Sequence, residues 1–327
     1  MHFPVPNVEQ ALRGMAQSSQ HNPAAISRIH FCMNLCKKGR LNHARTQLKN
    51  LHALERREVI HPGKHSLAVL TMIRGEEAYL PDWLDFHRQQ GVSHFYIYDN
   101  AVDDAEADKT FHFLQRYILE EKWVSYIRWP DVPGCRVGCI RNRDRSTNSI
   151  QELAFRDFKK RFGPQTQYYI KMDIDEYMFH RDGGHIPDVF PFRGTIALRG
   201  YNFGSSGLLT SSSEAVWKRF VWREESAKHV KSISRTNDVY EFFNAHLAFD
   251  KPWIYFTLRS SQHARVRERV RSALGLHHYK LKSREEFIQQ RVKTDGYLKG
   301  EYTLEDFSKL DGPMNAVRED ILARRFP

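Results

Sequence analysis

Asp173 and Asp175 are the residues on which chemistry is most readily placed. They lie in Tyr168–Met178, YYIKMDIDEYM, which opens as a strand: Ile170, Met172 and Ile174 alternate with Tyr169, Lys171, Asp173 and Asp175. Side chains two apart on a strand share a face, so the two carboxylates are expected to point the same way, with Cα atoms about 6.5 Å apart. Like charges so placed repel unless a cation or a shared proton sits between them. An Asp-x-Asp pair of this kind suits a divalent metal, Mn²⁺ or Mg²⁺, held together with a diphosphate. The alternative is an acidic strand end facing water.

The elements that must position this pair precede it in regular order. SLAVLTMI (66–73) is an apolar run of the length of a buried parallel strand. A helix follows through YLPDWLDFHRQQ, with Gly91 as its stop. VSHFYIYDN (92–100) is the second strand, and DDAEADKTFHFLQRYILEE the second helix, with acids in its first turn. KWVSYIRW is a third strand, and TNSIQELAFRDFKKRF a helix that leads into the Asp-x-Asp strand. Strands alternating with helices predict an α/β domain with a mostly parallel central sheet flanked by helices, the Asp-x-Asp strand near its middle. Ligands of such sheets gather at the carboxyl ends of strands.

That rule selects further candidates. Arg74 and Glu76 end the first strand, and Asp99 ends the second, where a carboxylate can meet a base or a ribose hydroxyl. Their plainer readings are a solvated loop and an Asp-Asn turn. Later in the chain, His278 is placed to complete a metal site and Lys282 to neutralise diphosphate oxygens. His246 is a rival ligand, and with 17 histidines frequency selects none of them. Past His180 the pattern changes. TIALRGYNF reads as a strand, with GSSG after it a flexible loop, and the segment from Trp217 to Trp222, KHVKSISR and VYEFFNAHLAF read as further strands or strand–turn units. Ser283 and Glu286 form a capping box that starts a helix. Activation of a hydroxyl for attack needs a general base, for which a carboxylate is suited. Glu214 is the candidate, with Glu176, Glu224 and Asp238 as alternatives.

Composition narrows the partners. The net charge of +11, from 50 Lys and Arg against 39 Asp and Glu, favours an anionic ligand. No apolar run approaches the ~20 residues of a membrane span, and MHFPVPNVEQ lacks a signal-peptide pattern. The expectation is a soluble, cytoplasmic protein, with peripheral membrane contact left open. The cysteines form two C-x3-C pairs, Cys32/Cys36 and Cys135/Cys139, read as free thiols, with zinc or a disulfide as the alternative. Residues 1–64 read as a helical extension without a catalytic group, ending at Pro62-Gly63. Residues 65–290 form the main domain, and 291–327 a tail or peripheral helix.

Five ordered blocks then carry a resemblance: IRGEEAYLPDWLDFHRQQGVSHFYIYDN, Gln151 with YIKMDIDEYM, YNFGSSG, KSI with His246 downstream, and HHYKLKSREEF. From about Leu67 to Gln290 the chain resembles glycosyltransferase family 92 and the related glycosyltransferase-2-like group. The resemblance implies a GT-A fold, a nucleotide-sugar donor (UDP-linked by expectation), a manganese-type metal and a glycan or polysaccharide acceptor. It implies that Asp173 and Asp175 hold metal and diphosphate, that Asp99 meets the nucleoside, and that His278 and Lys282 serve metal and phosphates. Gly75 stands where the family usually has Asn, and AVDDAEA follows Asn100 in place of a Ser/Thr-rich turn. The rival classes are a metal-dependent nucleotidyltransferase or phosphohydrolase, and a basic nucleic-acid binder. The basic residues are dispersed and SHFYIYDN reads as a buried strand, so nucleic acid is not expected.

Overall fold

The structure is a computed structural model. It describes residues 58–101, 103–130, 150–242, 248–251, 261–293 and 303–326, with 34, 246 and 254. Residues 1–33 and 35–57 of the extension and both cysteine pairs fall outside the described residues. The elements are β1 (Glu58–Val59), β2 (His65–Ile73), α1 (Leu80–Gln89), β3 (His94–Asp99), α2 (Asp104–Gln115), β4 (Val124–Arg128), α3 (Ile150–Arg161), β5 (Thr166–Lys171) and β6 (Glu176–His180). Then come β7 (Thr195–Asn202), α4 (Val216–Arg219), β8 (Trp222–Arg223), β9 (His229–Arg235), β10 (Val239–Phe242), β11 (Ala248–Asp250), α5 (Ser261–Ala273) and β12 (Leu274–His278). The last are α6 (Arg284–Phe287), α7 (Leu304–Met314), β13 (Val317–Arg318) and α8 (Ile321–Arg325).

The period of two decides the layers. Along β2, Leu67, Val69 and Ile73 join one core with α1 and α2, while Ala68, Leu70 and Met72 join a second core with α3. β3 divides the same way, Phe95 and Ile97 to the first core and Tyr96 and Tyr98 to the second. A strand apolar on both faces must be covered on both, which is why it reads as an unbroken apolar run. Each such side chain, fully buried, contributes about 1.5–3 kcal/mol. Local signals set the joints. Asp103 caps α2 by accepting from the Glu106 N–H at 2.9 Å. Gly91 turns the chain into β3 at φ +87°, and a Cβ there would meet Pro187 at 2.8 Å.

One sheet runs β1-β4-β3-β2-β5-β9-β7-β12-β6. The expected parallel block is β4-β3-β2-β5, with β5 the fifth of the nine strands. β2 and β3 end level, Ile73 beside Asp99, and Leu70 pairs with Lys171. From β9 onward the sheet is mixed: β9 is antiparallel to β5 and β7, and β12 is parallel to β7 but antiparallel to β6.

Four expectations change. The strand that opens Tyr168–Met178 ends before the Asp-x-Asp pair. β5 ends at Lys171, the chain turns with the Glu176 N–H donating to the Asp173 carbonyl at 3.1 Å, and β6 leaves for the far edge. The alternation continues through Asp173-Ile174-Asp175, but aspartates favour turns. Trp217–Trp222 is not a strand; it begins in α4 and reaches β8 only at Trp222. GSSG is pinned rather than flexible: Ser205 Oγ donates to Asp311 at 2.8 Å, and Ser206 Oγ accepts from the Val221 N–H at 2.9 Å. Residues 303–326 pack on the main domain. Phe307 and Met314 bury against Leu281 and Phe287, β13 pairs with β8, and Leu322 enters the first core. The sheet likewise begins before residue 65, at β1. Among the described residues no helix is long and apolar enough to cross a membrane.

Candidate functional site

The carboxyl end of β5 is where the backbone brings donors together. β12 lies between β6 and β7, and its last residue, His278, is level with Glu176 and with Asn202. β9 runs beside β5, and the alternation of His229 and Lys231 puts both side chains on the face toward the turn. Asp173, Asp175 and Glu176 place ligand oxygens within 4.8 Å of one another, and Glu176, His229 and His278 do the same.

Lys231 is buried at the centre. Its ammonium lies 2.9 Å from Asp173 Oδ2 and 2.9 Å from Glu176 Oε2. Gln151 Nε2 donates to Asp173 Oδ1 at 3.3 Å, and the Asp173 N–H donates to Glu176 Oε2 at 2.9 Å. Glu176 Oε1 faces His229 Nε2 at 2.6 Å. Burial alone would raise the Glu176 carboxyl, but Lys231 and His229 outweigh it and hold it at about 2. Burial likewise opposes the Lys231 charge, yet Asp173 and Glu176 raise its pKa.

His278 is oriented from behind. Asn202 Nδ2 donates to Glu224 Oε1 at 2.7 Å, which turns Asn202 Oδ1 toward His278 Nδ1 at 2.8 Å. Nδ1 therefore carries the proton, and the Nε2 lone pair faces Asp175 Oδ2 across 3.4 Å. Burial, and then the neighbouring His229, lowers the His278 pKa and favours this neutral ring. A lone pair and a carboxylate oxygen facing each other call for a cation between them. The donor set, carboxylate oxygens with imidazole nitrogen, therefore fits a divalent metal.

The other expected residues are placed differently. Asp99 is fully buried. Its Oδ2 accepts from Tyr126 OH at 2.6 Å and its Oδ1 from the Ala101 N–H at 2.9 Å, so both oxygens are turned to the protein and tie β3 to β4. Burial raises its pKa to about 6 against the pull of Tyr126 and Arg128. Arg74 extends from the same sheet edge and donates to Asn100 Oδ1 at 3.4 Å; Glu76 follows Gly75, half-buried. Lys282 is buried against the Tyr79 ring, 3.9 Å from its centroid, and donates to Gln290. His246 is outside both clusters; its ring stands 5.7 Å from that of His229.

The four base candidates lie in different settings. Glu214 is exposed and lines a cleft of about 600 Å³ with Asp82, Asp85 and Phe326. Phe86 and Trp217, which also line it, pack on Tyr177 and separate it from the acid cluster. The reason is local: Ser211 bonds Glu285 through both N–H and hydroxyl, which draws the loop away over α6. Glu176 is committed to Lys231 and His229, Glu224 to Asn202, and Asp238 to Arg193 and the Gly194 N–H. His229, Lys231 and Asn202 were not singled out from the sequence. The H-x-K alternation in KHVKSISR was a usable signal once that segment was read as a strand.

Comparison with known proteins agrees with the sequence blocks. Residues 69–193 match the model of glycosyltransferase family 92. A glycosyltransferase family 92 protein of Arabidopsis thaliana is 23% identical over 240 residues, covering 68% of this chain and 38% of that protein. One of Oryza sativa subsp. japonica is 24% identical over 183 residues, covering 52% of this chain and 27% of that protein. The chain thus spans well under half the length of these relatives. A solved galactosyltransferase, LgtC, in complex with donor and acceptor sugar analogues, is similar over 77% of this chain and 98% of its own, at 13% identity and a TM-score of 0.31. Over residues 69–193 this chain is thus similar to glycosyltransferase family 92.

Proposed function

We propose that this chain transfers a sugar from a nucleotide-sugar donor, UDP-linked, to a hydroxyl of a glycan or other acceptor, with a divalent cation of the manganese type. The observation that carries this reading is the convergence of Asp173, Asp175 and His278 at the carboxyl end of the central strand, inside or beside the family-matched region. Asp175 and His278 would hold the cation, with Asp173 beside it. When bound, the ion offsets the negative charge that gathers on the leaving diphosphate.

The chain's own residues prepare that site. Asn202 and Glu224 fix the tautomer of His278, so that its Nε2 is a donor atom without further rearrangement. Lys231 and Gln151 hold Asp173 in one orientation. Arg74, just after β2, and Lys282, beside the Tyr79 ring, are the cations assigned to donor phosphates. The test is release of nucleoside diphosphate from a panel of nucleotide sugars, with and without Mn²⁺. UDP release that requires a UDP-sugar and Mn²⁺ is expected. Asp175→Asn should lower it by at least ~100-fold, as for loss of a principal charge-stabilising group, while thermal melting shows a folded protein. No release from any donor, with unchanged Mn²⁺–UDP affinity in folded Asp175→Asn, would remove the basis for the reading.

A further inference from the structure

We infer that the cleft between α1, α4 and the end of α8 is a second binding site, for a neutral oligosaccharide, where the acceptor glycan is held outside the transfer centre. The glycan's role as acceptor rests on the proposed sugar transfer; its binding in the cleft does not.

Three elements build the walls. Asp82, Asp85 and Phe86 come from one face of α1, at helical spacings of three and four. Trp217 and Lys218 come from α4, and Phe326 follows α8. The Phe86 ring lies 5.2 Å from that of Trp217 and 5.1 Å from that of Phe326, so ring contacts lock the three elements together. Arg325 donates to the His180 and Arg181 carbonyls and fixes α8 against the end of β6. The cleft is therefore preformed, and its volume of about 600 Å³ falls within the ~300–1,000 Å³ of small-molecule sites. One layer of rings, Phe86, Trp217 and Tyr177, stands between it and the acid cluster.

The lining is short of hydrogen-bond partners. Trp217 is 9% exposed, and its indole N–H has no acceptor among the described residues. A buried donor left so costs about 1–3 kcal/mol, which a ligand oxygen would offset. Asp85 accepts from Tyr117 OH at 3.3 Å through one oxygen only, and Asp82 accepts no hydrogen bond among the described residues. Burial raises the pKa of both carboxyls, against Tyr117 at Asp85 and against Lys218 and Arg219 at Asp82. Charge then selects the ligand. A diphosphate would meet the carboxylates, and a cation would meet Lys218 and Arg325. A neutral ligand whose groups donate to carboxylates and also accept from the indole N–H and the ammonium suits both, and hydroxyls on a sugar ring do this. The half-buried Phe326 offers ring surface to the C–H face of such a sugar.

The experiment titrates the whole chain, without metal or nucleotide, with cellohexaose, maltohexaose, mannohexaose and galactohexaose, read by calorimetry and saturation-transfer NMR. At least one should bind, and oligogalacturonate of the same length should bind at least about tenfold more weakly. Asp82→Ala, at an exposed position, should weaken binding at least about tenfold, as for loss of a hydrogen bond to a charged group. Trp217→Phe keeps a ring and removes the N–H, and should weaken it about three- to tenfold. Thermal melts control for folding, and Asp82→Ala decides the matter if Trp217→Phe does not fold. Binding by none of the four, preference for oligogalacturonate, or unchanged binding in Asp82→Ala overturns the inference. So does binding lost in folded Asp175→Asn and kept in Asp82→Ala, which would put the glycan at the transfer centre. UDP release from a UDP-sugar by the wild type, without oligosaccharide, decides the transfer reading separately.

Discussion

The two halves of the sheet differ in what they put inside. The parallel half, β4-β3-β2-β5, buries mainly hydrocarbon and aromatic rings, with Thr71, His94, Asp99, Ser125, Arg128, Thr166 and Lys171 among them. Its buried acid, Asp99, spends both oxygens on Tyr126 and Ala101. The mixed half, β9-β7-β12-β6, supplies Lys231, His229, Asn202, His278 and Glu176, all turned toward one turn. The first half is a platform and the second carries the charge. Substitutions in the two halves should therefore behave differently: those in the mixed half should disturb the site as well as the fold, and those in the parallel half the fold alone.

Lys231→Met tests this most severely. It strands the fully buried Glu176 charge, and removing one partner of a buried pair costs about 3–5 kcal/mol. Urea unfolding should show that loss, together with loss of Mn²⁺–UDP binding. A stable Lys231→Met protein with intact binding would place the ammonium outside the site's working parts. Leu70→Ala, in the platform, should cost about 2–5 kcal/mol. Nucleotide affinity per folded molecule should stay the same, measured by calorimetry below the unfolding midpoint; a large change would mean the halves are coupled.

Acid sharpens the comparison. His94, on β3, is buried against Ser125 and stacked on His65, and burial, then the charge of His65, lowers its pKa to about 2. The unfolded histidine takes up its proton near pH 6.5 while the folded one does not. Its contribution is therefore present above pH 6.5 and falls by about 1.4 kcal/mol per unit as pH drops toward 2. Glu176, lowered to about 2, favours the fold above its unfolded pKa near 4.5 and loses that contribution only below it. The platform should thus weaken first in acid. Stability measured from pH 7 to pH 5 should be flatter in His94→Gln than in wild type; parallel curves would assign the slope to other groups. The smallest effect belongs to Glu214→Gln, outside both halves. Its exposed side chain predicts less than about 0.5 kcal/mol in stability and unchanged turnover, and a large drop in turnover would restore it as a base.

The same division explains what could be read from the sequence. Strands β2 and β3 were legible almost to the residue, because a strand covered on both faces is an unbroken apolar run between turn signals. Asp173, Asp175 and His278 were legible as residue types at strand ends. The turn at Asp173–Asp175 was not, because its residues keep a period of two while the backbone reverses. His229 and Lys231 were missed for another reason. Nothing local says that β9 inserts between β5 and β7, and their role exists only through that pairing. Asp99 had the right position but not the right exposure, which depends on Tyr126 reaching it from β4.

The short link between β5 and β6 has a geometric consequence. Lys171 and Glu176 are five peptide steps apart, a reach of at most about 17 Å when fully stretched, and a turn shortens it further. In the sheet order their strands are four neighbours apart, about 19 Å if the sheet were flat. The sheet cannot be flat. Its second half must roll back over the end of β5, on the side where Trp83 of α1 donates to the Glu176 carbonyl. The aspartates lie on the tether that closes this curl. Their separation is set by the curvature of the whole sheet, and one residue added between Lys171 and Glu176 would let the hollow open.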